Sequence, residues 1–233
     1  MPRKPSLTHR FTTALTWPVG IVLTSADYLR RTTPLHRVET VEHDEAAHLP
    51  PQLPNNVDLS EIQGPDDGDG PLFHRMYATS IANSQLSGDA LFAQLTSNLN
   101  QAVPLKMARF NKVLGQPDSV ESGDEYVVRM PGPWDGPVRV VDRRPTSFRL
   151  ATLEGHLEAG QIEFRVRPLE DGLLRFEIES WTRSGDPFAN LLYSKLLIAK
   201  EVQAHMWISF LENMVKLAGG KMTGGIDITT RRV

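Results

Sequence analysis

The sequence predicts an α+β fold: a curved antiparallel sheet of about seven strands wrapped on a long C-terminal helix. Three observations carry that expectation. Apolar and polar residues alternate almost without interruption from Asp124 to Arg183, the period-two pattern of strands buried on one face. Apolar residues then recur every three or four positions from Pro187 to Ala218, the mark of an amphipathic helix. At 32 residues that helix would be roughly 48 Å long, whereas six or seven strands ~4.8 Å apart make a sheet only about 30 Å wide. A sheet that covers such a helix has to wrap around it, which gives it a concave side.

Taken in order, residues 1–37 form a basic segment. Arg3, Lys4, Arg10, Arg30, Arg31 and Arg37 stand there against the single acid Asp27. Phe11 to Ala26 is uncharged but falls short of the ~18–20 apolar residues of a spanning helix, and Pro18 and Gly20 interrupt it. A basic start and the small pair Ser25-Ala26 fit a signal peptide. The favoured reading is a structural helix from about Val19 to Arg31, because Tyr28-Leu29-Arg30-Arg31 continues the same helical pattern. Residues 38–70 hold no Lys or Arg and nine acids. Pro50, Pro51, Pro54 and Pro65 exclude a regular ladder, so this is an irregular acidic connector. Its spaced Leu49, Leu53, Val57, Leu59 and Ile62 suit a segment lying against the domain, and the opposite charges of head and connector suit intramolecular pairing. Asp66-Asp67-Gly68-Asp69-Gly70 lacks the oxygen spacing and closing Glu of a calcium loop.

The domain proper is expected over 71–220, with 221–233 as a tail. Pro71 to Ala82 reads as a strand, and Ser87 to Leu99 as a helix with Ser87 as N-cap and Leu91, Leu95 and Leu99 on one face. Strands follow at Met107–Leu114, Glu125–Met130, Val138–Asp142, Ser147–Glu154, Gln161–Pro168 and Leu173–Arg183. Pro131 to Pro137 is a dense turn signal in which Asp135-Gly136 reads as the hairpin dipeptide. Ile162, Phe164 and Val166 point one way, and Gln161, Glu163, Arg165 and Arg167 the other. One face is therefore expected dry and the other wet. Phe188, Leu192, Leu196, Ala199, Val202, Met206, Phe210, Met214 and Leu217 form the helix stripe, which Gly219-Gly220 stop.

Strand, helix, six strands and a long C-terminal helix is the order of the helix-grip fold of START domains, polyketide cyclases and related SRPBCC proteins. More closely, the chain resembles the uncharacterised protein family numbered 0548, a family of unknown function. The resemblance rests on Arg31-Thr32-Thr33-Pro34-Leu35-His36-Arg37, Gly70-Pro71-Leu72-Phe73-His74-Arg75, Pro131 to Val140, Gly155 to Phe164, and Lys200-Glu201-Val202-Gln203-Ala204-His205-Met206-Trp207. It implies a fold but no established activity. In helix-grip hormone receptors the loop after the third strand is a gate and the loop after the fifth a latch. By strand order Pro131–Pro137 falls at the gate and Gly155–Gly160 at the latch. The receptors' own gate and latch sequences are not reproduced, so hormone sensing does not transfer.

The candidate binding residues follow from these positions. Phe148, Leu150, Phe164, Phe176 and Ile178 would line a concave face, with Met206 from the helix. Trp134, rigidified by flanking prolines, is a lid candidate or a tryptophan packed on a neighbouring loop. His156 and Glu158, in a glycine-bounded turn, are weak catalytic candidates: burial would raise the carboxyl pKa toward acid–base use, while an exposed turn would leave it ordinary. His205 follows Glu201 by one helical turn, an arrangement that is structural or a polar hook for a ligand head.

Three functions are weighed. The first is non-enzymatic binding of a hydrophobic small molecule or lipid of ~300–1,000 Å³. The second is a cyclase, dehydratase or hydrolase using Glu158 with His156. The third is a peripheral membrane or partner-binding role for the basic N-terminal helix. No cofactor is implied. The chain has no Cys, which removes thiolate metal sites and disulfides and fits the cytoplasm. Its seven histidines lack ligand spacing, so no metal is expected. A net charge of −3 gives no case for nucleic acid.

Overall fold

A computed structural model describes residues 32–130, 135–185 and 197–233. Over that span the architecture is one curved mixed sheet of nine strands with two α-helices on its concave face. Nine strands replace the expected seven or so, because both flanks of the predicted domain add a strand. The strands are β1 (Leu35–Val41), β2 (Asp69–Ala82), β3 (Arg109–Leu114), β4 (Glu125–Arg129), β5 (Asp135–Arg144), β6 (Ser147–Thr152), β7 (Glu158–Pro168), β8 (Leu174–Ser184) and β9 (Lys221–Arg232). Helix α1 is Gly88–Ser97 and helix α2 is Leu197–Leu217. The spatial order is β1-β9-β2-β8-β7-β6-β5-β4-β3. Neighbours are antiparallel except β1 and β9, which are parallel.

From β2 to α2 the order is strand, helix, six strands, helix, as the sequence predicts. The residues expected to be a tail form β9 instead, pairing with β2 from Lys221 to Arg232. Its alternating Ile226 and Ile228 are buried, which explains the pairing. Gly224-Gly225 make it possible: both have φ near +80°, and they bulge out between Thr223 and Ile226 where the register with β2 shifts. A Cβ on Gly225 would sit 2.4 Å from the Pro34 carbonyl.

Asp135-Gly136 is not the hairpin turn. Arg129 pairs with Asp135 and Val128 with Gly136, so the dipeptide opens β5. Helix α2 has 21 described residues, or about 31 Å, and Pro187 to Leu196 of the expected helix lie outside the described residues. Nine strands span about 38 Å, and an apolar layer lies between them and the helices. Strands β9, β2 and β8 close on α2, and β7 closes on α1.

That layer is aromatic. Phe148 stacks on Phe164 at 4.8 Å between centroids, Phe164 meets Phe210 at 5.4 Å and Trp207 edge-on at 5.6 Å, and Phe92 of α1 meets Phe148 at 5.8 Å. Each fully buried ring contributes about 1.5–3 kcal/mol by area. Ser87 caps α1, its Oγ accepting from Ala90 N at 3.2 Å.

The convex face is not the wet face the alternation suggests. Arg149, Gln161, Glu177 and Glu179 are all buried there. The acidic connector lies across this side and takes up its donors: Arg149 Nη2 donates to Gln52 O, and Arg139 Nη1 to Asp58 O and Ser60 O. Arg183 pairs with Glu45. A sequence can show which side of a strand is polar, but not whether another segment covers it.

Candidate functional site

On β2 the side chains of Phe73, Arg75, Tyr77, Thr79 and Ile81 share the concave face by strand alternation. Four are apolar or small. Arg75 is the exception, a guanidinium 5% exposed on a dry face. Register sets its neighbours. Arg75 faces Ser180 on β8, and Ser180 faces Ile162 on β7. Two and four residues before Ile162, on the same side of β7, come Gly160 and Glu158. Glu158 Oε1 lies 3.7 Å from Arg75 Nη1. Thr182 Oγ1 donates to Glu158 Oε1 at 3.4 Å, and Gln203 Nε2 of α2 donates to Glu158 Oε2 at 3.0 Å. Arg75 also stands over the Phe73 ring, 4.4 Å from its centroid.

A polar cluster thus sits in the dry face under the N-terminal part of α2. On the apolar side, Ile162 and Met130, the residue after β4, are both only partly buried. At the opposite end α1 seals the layer with fully buried Leu91, Phe92 and Leu95.

The turn after β6 leads into β7 at Glu158. Gln63 of the connector clasps it. Its Nε2 donates to His156 O at 3.2 Å and Glu158 O at 3.4 Å, and its Oε1 accepts from Gly155 N at 3.2 Å. Gln63 O accepts from Thr152 Oγ1 at 2.7 Å and Gly160 N at 3.0 Å. The His156 ring packs on β5, where a Cβ on Gly136 would come 2.9 Å from His156 Nε2. Gly136 is required by that close approach, not by a turn. Burial of the imidazole lowers its pKa below 6.5, against an opposing pull from Glu158. His156 Nδ1 accepts from Glu158 N at 2.9 Å, so the imidazole engages Glu158 through the main chain while the carboxylate is committed to Thr182, Gln203 and Arg75.

The other predicted site residues fall as follows. Phe148, Leu150, Phe164, Phe176, Ile178 and Met206 all face the apolar layer and are buried, with their rings in mutual contact. His205 is buried on α2, its Nδ1 3.0 Å from Met107 Sδ. Trp134 lies outside the described residues, as does the basic N-terminal helix with any membrane role. Sequence reasoning missed Arg75, Thr182, Gln203 and Gln63. Arg75 had a signal: it occupies a dry-face parity position on β2, in step with Tyr77 and Ile81. Gln63 had none, since nothing local marks a long-range clasp.

A second ionic network occupies the convex face. Arg165 donates to Glu177 and Glu179, each at 2.6 Å, and Arg167 and Arg175 donate to Glu177 at 3.2 Å. His74 Nε2 lies 2.6 Å from Glu179, and its ring stacks on Trp181. Burial alone would raise both carboxyl pKa values, but the hydrogen bonds from Arg165, Arg167 and His74 outweigh it and hold both below 4.5. Among the described residues no group of three His, Asp or Glu side chains could hold a metal ion, and no helix is long and apolar enough to cross a membrane.

The element order and the polar cluster under α2 define a helix-grip protein with a charged pair in its dry face. The chain belongs to the family described as a domain of unknown function (DUF1990), whose model matches residues 69–210. Strands β1 and β9 fall outside that span. Among solved structures the chain is similar to a conserved protein from Geobacillus kaustophilus, at 11% identity over 64% of this chain and 98% of that one, with a TM-score of 0.43. It is similar to norcoclaurine synthase from Thalictrum flavum in complex with dopamine and hydroxybenzaldehyde, at 10% identity over 63% of this chain and 88% of that one, TM-score 0.42. It is also similar to major latex-like protein 151 from Panax ginseng, at 19% identity over 59% and 99%, TM-score 0.35. At these scores the likenesses carry no argument about ligand or reaction. None of the curated proteins matches the chain.

Proposed function

We propose that this protein binds a hydrophobic small molecule or lipid on its concave face, admitted near the turn after β6, where Ile162 and Met130 are only partly buried. The observation that carries the reading is the Arg75–Glu158 pair, a buried guanidinium beside a largely covered carboxylate on a mainly apolar face. A buried ion pair contributes little net stability, because desolvation of both charges offsets their attraction. A few convergent polar groups beside an apolar surface are what a ligand site requires. Phe148, Leu150, Phe164, Phe176, Ile178 and Met206 form that surface. Their rings touch one another, so the ligand lies along the layer toward Ile162 and Met130 instead of replacing it. His156 borders the same region in this reading, and His205 underlies it from α2.

Native mass spectrometry of the purified protein, with solvent extraction of anything bound, tests this. The expected result is a one-to-one adduct of an apolar or amphiphilic compound, or uptake of one from a panel of fatty acids, sterols and aromatic polyketides. A bare chain mass, together with no thermal shift from any member of that panel, sinks the proposal.

A further inference from the structure

The covered and partly covered arginines on the two faces of the sheet are bonded differently. On the convex face Arg139 donates twice to Glu125, at 3.1 and 2.8 Å, and its Nη1 donates to Asp58 O and Ser60 O. Arg165 there has a carboxylate on each of two nitrogens. Arg149 leaves one nitrogen unpaired but donates through Nη2 to Gln52 O. On the concave face, Nη1 of Arg75 has no hydrogen-bond partner among the described residues, although the residue is only 5% exposed. The nearest carboxylate oxygen, at 3.7 Å, balances its charge but stands beyond hydrogen-bond reach. Thr182 and Gln203 each donate to one oxygen of Glu158.

A buried charged donor left unbonded is costly, and the cost disappears when an acceptor arrives. The acceptor that suits a guanidinium is a planar or tetrahedral oxyanion, which it can bond bidentately. The Phe73 ring under Arg75 fixes the plane of the fork. The unbonded nitrogen lies in the row that leads through Ser180 to the partly exposed Ile162. Charge and apolar surface therefore meet at one place, as a head and a tail would need.

We propose that Arg75 receives the oxyanion head, carboxylate or phosphate, of an amphiphile whose apolar chain lies toward Ile162 and Met130. This rests on the reading that the concave face takes an apolar ligand. It gives the Phe73-His74-Arg75 run of the family-like motif a division of labour: His74 builds the convex network, and Arg75 reads the ligand. Glu158 acts as the internal counter-charge that occupies the fork weakly until the ligand displaces it.

The test is calorimetry with dodecanoate, dodecyl phosphate and dodecanol on the full chain, with one-to-one stoichiometry checked by native mass spectrometry. At least one anion is expected to bind about ten-fold or more tightly than dodecanol, and comparing the two anions distinguishes carboxylate from phosphate. Arg75→Gln is expected to bring that anion down to the level of dodecanol. Arg75→Lys should keep part of the preference. Glu158→Gln removes the competing carboxylate and should tighten anion binding several-fold. If Arg75→Gln fails to fold, the Glu158→Gln result decides, and unchanged or weakened anion binding there overturns the inference. Equal affinity for anions and dodecanol in the wild type overturns it while leaving the apolar-ligand reading standing. Binding of none of the three ends that reading and the inference with it.

Discussion

Gly136 shows how one residue can carry two unrelated meanings. In the sequence it completes an Asp-Gly hairpin signal; in the fold it is a strand residue against which the His156 ring lies, with 2.9 Å from Nε2 to the missing Cβ. Gly136→Ala must push that ring off β5. It is expected to cost about 1–3 kcal/mol, as overpacked sites do, measured by urea denaturation, and to shift the His156 ring resonances. An alanine variant of wild-type stability with unmoved resonances would mean the turn tolerates the displacement. Arg75 is the counterpart. Its residue type says surface and its strand parity says interior, and the conflict between them marks the site.

At the scale of elements, the turn after β6 is ordered by a residue ninety positions earlier. Gln63 makes three side-chain hydrogen bonds to Gly155, His156 and Glu158. Gln63→Ala leaves those main-chain groups to water or unpaired, with an expected loss of about 1–3 kcal/mol. Faster amide exchange should be confined to the turn, with the β7–β8 ladder still protected. If exchange instead rose evenly across the sheet, Gln63 would be a support of the whole fold and not a clasp of this turn. The same scale explains β9. Deletion of an apparent tail would uncover the whole β2 edge from Phe73 to Ala82, and an unpaired edge carrying Tyr77 and Ile81 is an association hazard.

For the whole molecule, the connector makes the sheet two-sided, with an apolar aromatic layer inside and a buried ionic layer outside. The two layers respond to acid in different windows. Above about pH 6.5 His156 is neutral in both folded and unfolded chains, and its contribution is full. As pH falls below 6.5, the unfolded chain takes up a proton that the buried ring refuses, so stability falls. Glu177 and Glu179, held below 4.5, contribute fully above that pH, and their share is lost as pH falls through the folded values. Urea midpoints followed from about pH 8 to about pH 2.5 should show two declines, the lower one below pH 4.5, and His156→Gln should flatten the upper one alone. An upper decline of the same size in that variant would assign it to another group.

By itself the sequence determined the local periods: where strands alternate, that a long amphipathic helix follows them, and therefore the strand, helix, six-strand, helix order. It also located the turn after β6 and the apolar rings between α2 and the sheet, and it put the β4–β5 turn signal over Pro131–Pro137, of which Asp135, Gly136 and Pro137 belong to the strand. These are short-range properties, set by backbone geometry and by which side chains avoid water. Only the tertiary structure decided that residues 221–232 pair with β2, that the connector covers the convex face, and that Arg75 meets Glu158, Thr182 and Gln203. Those contacts join residues far apart in the chain, and no local pattern encodes which distant partner satisfies a hydrogen bond or a charge.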